Sequence, residues 1–183
     1  MSGSDWKLNL DWVAPGLAVG GRFPIEAAEY LAVRLGIRHV VDLRAGECDD
    51  AQLLREHGIS LLHLPTEDLC AISEPMLEEG VRWVKQQLER GHKVYVHCEA
   101  GVGRSAMLAL CVLVAGGEAP LEALERTKRA RWQVAPTPEQ LQAFMSWSEA
   151  WRGRHGLGWA VPDFDDLARI AYRHLRAFSR AGA

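Results

Sequence analysis

Apolar residues occur along this chain in two arrangements, short unbroken runs and stripes at helical spacing. Short apolar runs bounded by glycine, proline or polar turns predict β-strands. The last such run is almost continuously apolar, as expected for a parallel strand that is buried on both faces. The four predicted strands are residues 17–21, 39–44, 59–64 and 93–97, and residues 12–16 are predicted as a turn that leads into the first.

Stripes with a period of about 3.6 residues predict helices between and after these strands. One of these helices, residues 105–115, is apolar on every side, which indicates a central buried helix. The predicted helices are residues 24–35, 51–57, 74–90, 105–115, 121–130, 138–151 and 163–180.

Strands that alternate with helices, followed by further helices, indicate an α/β fold. We expect a three-layer sandwich in which a central, mainly parallel sheet of about four or five strands is flanked by helices. The length of 183 residues suits one domain. We predict that residues 1–152 form the main domain. Residues 153–183 are predicted to be a glycine-bearing linker and a helix, capped by Asp163, that pack on or extend that domain.

Composition argues against several classes of protein. The net charge of −3 disfavours a nucleic-acid partner, and no apolar run approaches the ~18 residues of a transmembrane segment. The first residues lack the basic and apolar regions of a secretory signal, and the four cysteines form no C-x-x-C pair. We therefore expect a cytoplasmic protein with reduced thiols. The seven histidines are scattered, so we expect neither a metal nor another cofactor.

The residues best suited to chemistry lie between the last predicted strand and the helix after it. Cys98 and Arg104 enclose five residues there, two of which are glycines. A short loop at a helix N-terminus can turn its backbone N–H groups inward and bind an anion. The arginine adds a planar fork of donors for two phosphate oxygens, and the same positive field favours the thiolate of Cys98. We expect the anion to be bound by Glu99, Ala100, Gly101, Val102, Gly103 and Arg104, with the two glycines adopting positive φ values.

Two neighbouring side chains have predicted supporting roles. Ser105 can donate to the sulfur when the thiolate becomes a leaving group, and His97 is predicted to brace the loop as a hydrogen-bond donor. Other interpretations of the loop explain less. A buried structural thiol leaves Arg104 and both glycines without a role, and the nucleotide-binding pattern G-x-x-x-x-G-K-[ST] is absent. A sulfur carrier of the rhodanese type also uses a cysteine loop, but the resemblance there is to a shorter loop than this one.

The run His97-Cys98, five residues, Arg104-Ser105 resembles the signature of the cysteine-based protein tyrosine phosphatases. The short chain and the flanking segments resemble the dual-specificity branch of that superfamily, over roughly residues 12–151. The resemblance implies a metal-independent phosphomonoesterase in which Cys98 attacks phosphorus and forms a phosphocysteine intermediate.

The same resemblance implies a general acid on a loop upstream of the cysteine. Asp68 lies 30 residues before Cys98 and matches that position, and the adjacent Glu67 is its competitor. The other acidic residues of this half, Asp42, Asp49 and Asp50, are interpreted as structural or solvent-facing, with Asp49 as a candidate cap of the helix that follows it.

The sequence leaves the substrate open. Phosphotyrosine in a protein is the first choice, with phosphoserine and phosphothreonine as further options. A lipid or inositol phosphate is the alternative, because the segment from Leu77 to Ser105 also resembles the mitochondrial phosphatidylglycerophosphate phosphatases. A non-catalytic phosphate-binding module is a third hypothesis. The loop contains no lysine and carries an acidic residue, which favours a single phosphomonoester over polyphosphorylated ligands. Three basic residues, Lys128, Arg129 and Arg131, are either cations at a helix C-terminus or contacts for an acidic substrate.

Overall fold

The computed structural model describes residues 7–175 of the chain. A five-stranded sheet lies at its centre and consists of β1 (Leu10–Ala14), β2 (Leu17–Gly20), β3 (Ile37–Arg44), β4 (Ser60–Thr66) and β5 (Lys93–His97). The spatial order of the strands is β1-β2-β5-β3-β4. β1 pairs with β2 in antiparallel orientation, and the other three pairings are parallel. The α/β fold with a mainly parallel sheet is therefore confirmed.

Helices cover both faces of the sheet. They are α1 (Ala51–Glu56), α2 (Glu74–Glu89), α3 (Arg104–Ala115), α4 (Pro120–Ala130), α5 (Pro138–His155) and α6 (Phe164–Ala171). Successive side chains of a strand point to opposite faces. Accordingly, Val41 of β3 belongs to the larger apolar cluster, with α2 to α6, while Val40 belongs to a smaller cluster, with α1 and residues 25–35. One cluster lies on each face of the sheet, so the two clusters fill the spaces between the three predicted layers.

α3 is the central helix of the layer formed by α2 to α6, on the side of the larger apolar cluster. Every residue from Arg104 to Val114 is buried, as the sequence predicts. The helix packs against α2, α4 and α5, and it begins where the loop after β5 ends. No helix within residues 7–175 combines the length and the apolar character needed to cross a membrane.

Strand β1 corrects the prediction of a turn over residues 12–16. The turn is shorter and lies at Pro15-Gly16, where Gly16 has a φ of 78° and joins β1 to β2 as a hairpin. β1 is an edge strand whose side chains are mostly half-buried or exposed, so its residues show neither an unbroken apolar run nor a clean alternation. The Pro-Gly pair between two short segments was the available signal.

Residues 24–35 form helical turns, although not the regular α-helix that was predicted. A 3-10 turn (Ile25–Ala27) is followed by a π-helical turn (Tyr30–Arg34), in which the N–H of Leu35 donates to the carbonyl of Tyr30. Leu31 and Ala32 are both buried in the smaller cluster. Tertiary packing of these side chains therefore outweighs the regular α-helical hydrogen-bond pattern.

The C-terminal elements also differ from the prediction in their bounds. α5 continues to His155 and ends where Gly156 adopts a left-handed φ of 62°, so the linker is shorter than predicted. The side chain of Asp163 caps α6, as predicted. Leu167 lies in the larger apolar cluster, which places α6 on the same core as the sheet. The last part of the predicted helix, residues 176–180, lies outside the described residues, and the domain boundary at residue 152 stays a prediction.

Candidate active site

The loop between β5 and α3 lies at the carboxyl edge of the parallel strands. β5 is the middle strand and runs parallel to both of its neighbours, β2 and β3. Open α/β sheets bind ligands at this edge. Cys98 is the first residue after β5 and is 3% exposed. The N–H of Gly101 donates to its sulfur, with an N to Sγ distance of 3.3 Å. The loop therefore closes around the thiol, within reach of its own backbone donors.

Ser105 lies beside the thiol and is fully buried. Its Oγ is 3.4 Å from Cys98 Sγ and also 3.4 Å from the carbonyl oxygen of Gly20. A hydroxyl has one proton and can give it to only one of these acceptors at a time. Ser105 can therefore donate to Gly20 while the sulfur is a thiol, and to the sulfur when it is a thiolate.

Arg104 reaches across the site from the first position of α3. Its Nη1 donates to the carbonyl of Thr66 at 2.7 Å, and its Nη2 lies 2.9 Å from Asp68 Oδ1. The Nε of Arg104 is buried and has no hydrogen-bond partner among the described residues. An unpaired buried donor is costly, so an anion oxygen that accepts from this group would stabilise the site.

The structure brings Asp68, rather than Glu67, to the arginine. Asp68 lies in the turn after β4, and its side chain is 74% exposed although it touches the buried guanidinium. Glu67 contributes its backbone oxygen to that turn, where it accepts from the N–H of Cys70 at 3.3 Å. A carboxylate open to solvent on one side and to the arginine on the other is suitably placed to exchange protons at the mouth of the site.

The two loop glycines are required for different reasons, which corrects the expectation that both have positive φ. Gly101 has a φ of 73°, and a Cβ there would lie 2.3 Å from the backbone carbon of Gly20. Gly103 has a φ of −115°. It needs to be small because a Cβ would lie 2.5 Å from Oε1 of Gln140. The loop is therefore packed tightly between the end of β2 and the start of α5.

Arg131 is a brace of the loop and not a substrate contact, which corrects one option for the basic patch. The side chain is 1% exposed. It donates from Nε to the carbonyl of Gly101 at 2.7 Å and from Nη2 to that of Ala100 at 3.1 Å. The same guanidinium donates to Asp11 at 2.8 Å and to Asn9 at 2.7 Å. Arg131 thus ties the outer side of the loop to the N-terminal hairpin.

Lys128 is also buried, at 2% exposure. Like Arg131, it is therefore not a contact for an acidic substrate. Its ammonium donates to the carbonyl of Val134 at 2.5 Å and to that of Ala171 at 2.6 Å, and it lies 2.7 Å from Nδ1 of His174. Burial lowers the pKa of Lys128 to about 8, and the nearby Arg173 adds to that effect. Of the three basic residues, Arg129 alone is exposed.

The rim of the loop carries an ion pair. The carboxylate of Glu99 lies 2.8 Å from Nε of Arg22, and both side chains are at least half exposed. Glu99 is therefore neutralised at the rim by Arg22, a cation from the segment after β2. A separate contact fastens the loop further along, where the carbonyl of Val102 accepts from the N–H of Ala135 at 3.0 Å.

His97 connects the loop to a buried cluster of charges. Its Nε2 lies 2.7 Å from Asp49 Oδ2, and its Nδ1 lies 3.3 Å from the carbonyl oxygen of Cys98. Both partners are oxygen atoms, and Asp49 also accepts a 2.7 Å hydrogen bond from Arg44. The two contacts orient the imidazole ring between Asp49 and the first peptide of the loop. The bracing role predicted for His97 matches this geometry.

The helix cap predicted at Asp49 belongs instead to its neighbour. The side chain of Asp50 accepts from the N–H groups of Gln52 and Leu53, both at 3.0 Å. Asp49 is turned inward, to Arg44 and His97. Adjacent acidic residues in a loop offer the same capping chemistry, so the sequence did not distinguish them.

Asp42 completes this cluster and is fully buried. It accepts from Nε and Nη2 of Arg44 at 3.0 and 2.9 Å. Burial raises the pKa of Asp42, but the hydrogen bonds and charge of Arg44 and the charge of His97 more than offset this and lower it overall. Within residues 7–175, two sets of potential metal ligands include this carboxylate, Asp42-Cys48-His63 and Asp42-Asp49-His97. Its oxygens already hold the guanidinium of Arg44, so a metal ion would have to displace a bound cation.

A family model described as "Swiss Army Knife protein, DSP-PTPase phosphatase domain", PTP-SAK, matches residues 7–152. The chain belongs to this family. Its PTP-SAK domain is a phosphatase domain of the cysteine-dependent, dual-specificity type, as the signature around Cys98 implied. The match covers the sheet and all helices through most of α5 and ends before α6.

Individual relatives agree with this assignment. Laforin from Mus musculus is 44% identical over 61 residues, which are 33% of this chain and 18% of laforin. The phosphatidylglycerophosphatase and protein-tyrosine phosphatase 1 of the same organism is 31% identical over 97 residues, 52% of this chain and 50% of that protein. The matched segments thus span half or less of these two relatives. The solved structure of Tk-PTP in its active form superposes with a TM-score of 0.71 at 26% identity, covering 77% of this chain and 97% of that one.

Several residues of the PTP-SAK site were not found by sequence reasoning. They are the braces of the loop and its neighbours, Asn9, Asp11, Asp49 and Gln140, and the bracing role of Arg131. No local pattern marks them, because each contacts the loop, or a residue that braces it, from a distant part of the chain.

Proposed function

We propose that the protein hydrolyses phosphomonoesters through a phosphocysteine intermediate at Cys98, without a metal ion. The observation that supports this most strongly is the juxtaposition of a buried thiol, a buried arginine with a free Nε donor, and Asp68 on that arginine. A thiol, an anion-binding fork and a proton donor are the three groups that the reaction needs.

In the first step, the Cys98 thiolate attacks phosphorus and the bond from phosphorus to the ester oxygen breaks. Arg104 and the N–H groups of the loop bind the equatorial oxygens; these N–H groups are those of Glu99, Ala100, Gly101, Val102, Gly103 and Arg104. Asp68 pairs with Arg104. A phosphate dianion competes for the same guanidinium and frees the carboxylate, which takes up a proton from solvent and then gives that proton to the leaving oxygen.

In the second step, water attacks the phosphocysteine. The Asp68 carboxylate takes a proton from that water, and the bond from phosphorus to sulfur breaks. Ser105 donates to the departing thiolate from 3.4 Å. The step releases inorganic phosphate and restores the enzyme.

We propose phosphotyrosine in proteins as the preferred substrate, with phosphoserine and phosphothreonine as slower ones. Arg104 is the only basic residue of the loop, Lys128 and Arg131 are buried, and the nearby Arg22 is paired with Glu99. Such a site suits one phosphate group and offers little charge for additional ones.

A lipid phosphate is the second candidate. One relative is named a phosphatidylglycerophosphatase as well as a protein-tyrosine phosphatase. A lipid whose headgroup ends in a single phosphomonoester presents the same charge to the loop as phosphotyrosine does. A non-catalytic phosphate-binding module is disfavoured, because thiol, arginine and acid are all present.

We further propose a cytoplasmic location and phosphorylated substrates as partners, with no nucleic acid. The support is the set of four free cysteines among the described residues and the net charge of −3.

The test is turnover of p-nitrophenyl phosphate by the wild type, Cys98→Ser and the control Cys48→Ser, an exposed cysteine. We expect Cys98→Ser to lose activity by roughly 1000-fold or more, because a hydroxyl is not ionised near neutral pH. Cys48→Ser should retain activity. EDTA should leave wild-type turnover unchanged. Two results would refute the proposed chemistry. One is a turnover rate of Cys98→Ser equal to that of the wild type. The other is a loss of wild-type activity in EDTA that a divalent ion restores.

A further inference from the structure

The loop that carries Asp68 has little packing of its own. Residues 67–70 are all exposed, and Leu69, a large apolar residue, is 67% exposed. Leu69 also has a φ of 66°, a left-handed conformation that residues other than glycine rarely adopt. Such a conformation persists only where surrounding contacts hold it.

Those contacts come from the first turn of α5. Three of its side chains form hydrogen bonds with three consecutive backbone groups of the loop. Thr137 Oγ1 donates to Leu69 O at 2.9 Å, Gln140 Nε2 donates to Cys70 O at 2.9 Å, and Ala71 N donates to Glu139 Oε1 at 3.0 Å. The loop is thus fastened immediately after Asp68.

The same turn of α5 also touches the anion-binding loop. Gln140 is 1% exposed, and its Oε1 lies 2.5 Å from where a Cβ of Gly103 would be. Its amide is fixed in direction, because Oε1 accepts from the N–H of Thr137 while Nε2 donates to the acid-bearing loop. One rigid helix end therefore sets the separation of the two loops.

We propose that Thr137, Glu139 and Gln140 are positioning residues that hold Asp68 over the anion-binding loop. This inference rests on the proposed function, because it assigns these residues to the delivery of the proton. They touch neither substrate nor the reacting atoms. They act through the backbone of residues 69–71, and their loss lets the Asp68 carboxyl leave the position from which it reaches the leaving oxygen.

Glu139 separates this role from helix capping. Thr137 and Gln140 form the capping box of α5, so their substitution also weakens the helix. Glu139 is outside that box, and its carboxylate accepts from the N–H of Ala71. Glu139→Gln keeps an acceptor oxygen, whereas Glu139→Ala removes it. Glu149, exposed on the same helix, provides the control Glu149→Ala.

The experiment compares kcat/KM for phenyl phosphate, a poor leaving group, and p-nitrophenyl phosphate, a good one. For Glu139→Ala we expect a loss of roughly tenfold on phenyl phosphate and of less than about twofold on p-nitrophenyl phosphate, since only the poor leaving group depends strongly on the acid. Glu139→Gln and Glu149→Ala should behave as the wild type does. Hydrogen exchange at the Ala71 amide should accelerate in Glu139→Ala and recover in Glu139→Gln.

Equal losses on both substrates, or no loss on either, would overturn the positioning role. So would unchanged exchange at the Ala71 amide. The exchange measurement does not need turnover, so it tests whether Glu139 holds the loop even if the wild type hydrolyses neither ester. That last result would refute the proposed function by itself.

Discussion

Arg104 and Asp68 form an ion pair, with 2.9 Å between Nη2 and Oδ1. Each partner has another task in the proposed reaction, the arginine with phosphate and the aspartate with the leaving oxygen. While the two side chains are paired, neither charge is uncompensated. The buried Nε of Arg104 is left free for the anion, so binding does not require every contact of the arginine to break.

Asp68→Asn tests the choice between the two adjacent carboxylates. We expect kcat/KM for phenyl phosphate to fall roughly 100-fold, with a much smaller loss for p-nitrophenyl phosphate, because an amide cannot protonate the leaving oxygen. The basic limb of the pH profile should disappear, since it reports deprotonation of the acid. Glu67→Gln is the matched control and should change little. The reverse result, with the loss in Glu67→Gln, would move the acid by one residue.

At the scale of elements, the charged cluster at the end of β3 connects the sheet to the nucleophile. Asp42 and Arg44 project from the last part of β3, Asp49 lies in the loop before α1, and His97 ends β5. The contacts run from Asp42 through Arg44 and Asp49 to His97, and from there to the carbonyl of Cys98. The neighbouring strands thus hold the first peptide of the loop through side chains as well as through the sheet.

Asp42→Asn should destabilise the fold in a pH-dependent manner. The pKa of Asp42 in the folded protein is lowered from 3.8, so its stabilising contribution is complete above that pH and is lost as the pH falls through the lower folded value. At about pH 7 we expect the free energy of unfolding to fall by roughly 2–4 kcal/mol, because Arg44 loses its bidentate partner.

Urea unfolding of the wild type and the variant at neutral and acidic pH measures this difference. The gap between the two proteins should narrow at about pH 3 and below. A constant gap across the range would show that Asp42 contributes by packing rather than by charge. Asp50→Asn is a suitable control, because asparagine also caps helices well.

The elements were predicted from sequence to different extents. Residues 93–115 give the strand, loop and helix almost without error, because local patterns determine them: an unbroken apolar run, a glycine loop and an all-apolar helix. β1 was missed, since an edge strand needs no apolar face of its own. The irregular winding of residues 25–34 and the inward turn of Asp49 depend on what packs against them, which no local pattern reveals.

At the scale of the whole molecule, the distribution of charge around the site predicts its substrates. Two of the three cations suggested as extra anion contacts are used inside the protein, Arg131 on the loop carbonyls and Lys128 on Val134 and Ala171, while Arg129 is exposed. This arrangement leaves Arg104 as the central cation of the site. We therefore expect selectivity for ligands with one phosphate group.

A turnover panel tests this expectation. The kcat/KM for phosphotyrosine peptides should exceed that for polyphosphoinositides by about tenfold or more, because additional phosphates find no matching cations. Phosphatidylglycerophosphate, in mixed micelles, is the informative intermediate case with one phosphomonoester. A phosphoinositide turned over about tenfold better than the best phosphopeptide would contradict the prediction and favour the lipid alternative.

The brace at Arg131 has a consequence for biosynthesis. Its contact with Asp11 joins residues 120 positions apart, and its contact with Gly101 spans 30. During synthesis the chain emerges from the N-terminus at about 5–20 residues per second. The N-terminal hairpin and the nucleophile loop have therefore been synthesised before Arg131, the residue that fastens them together. At that rate Arg131 is added roughly 2–7 s after Cys98, so the nucleophile loop of the nascent chain gains this brace only once residue 131 has been synthesised.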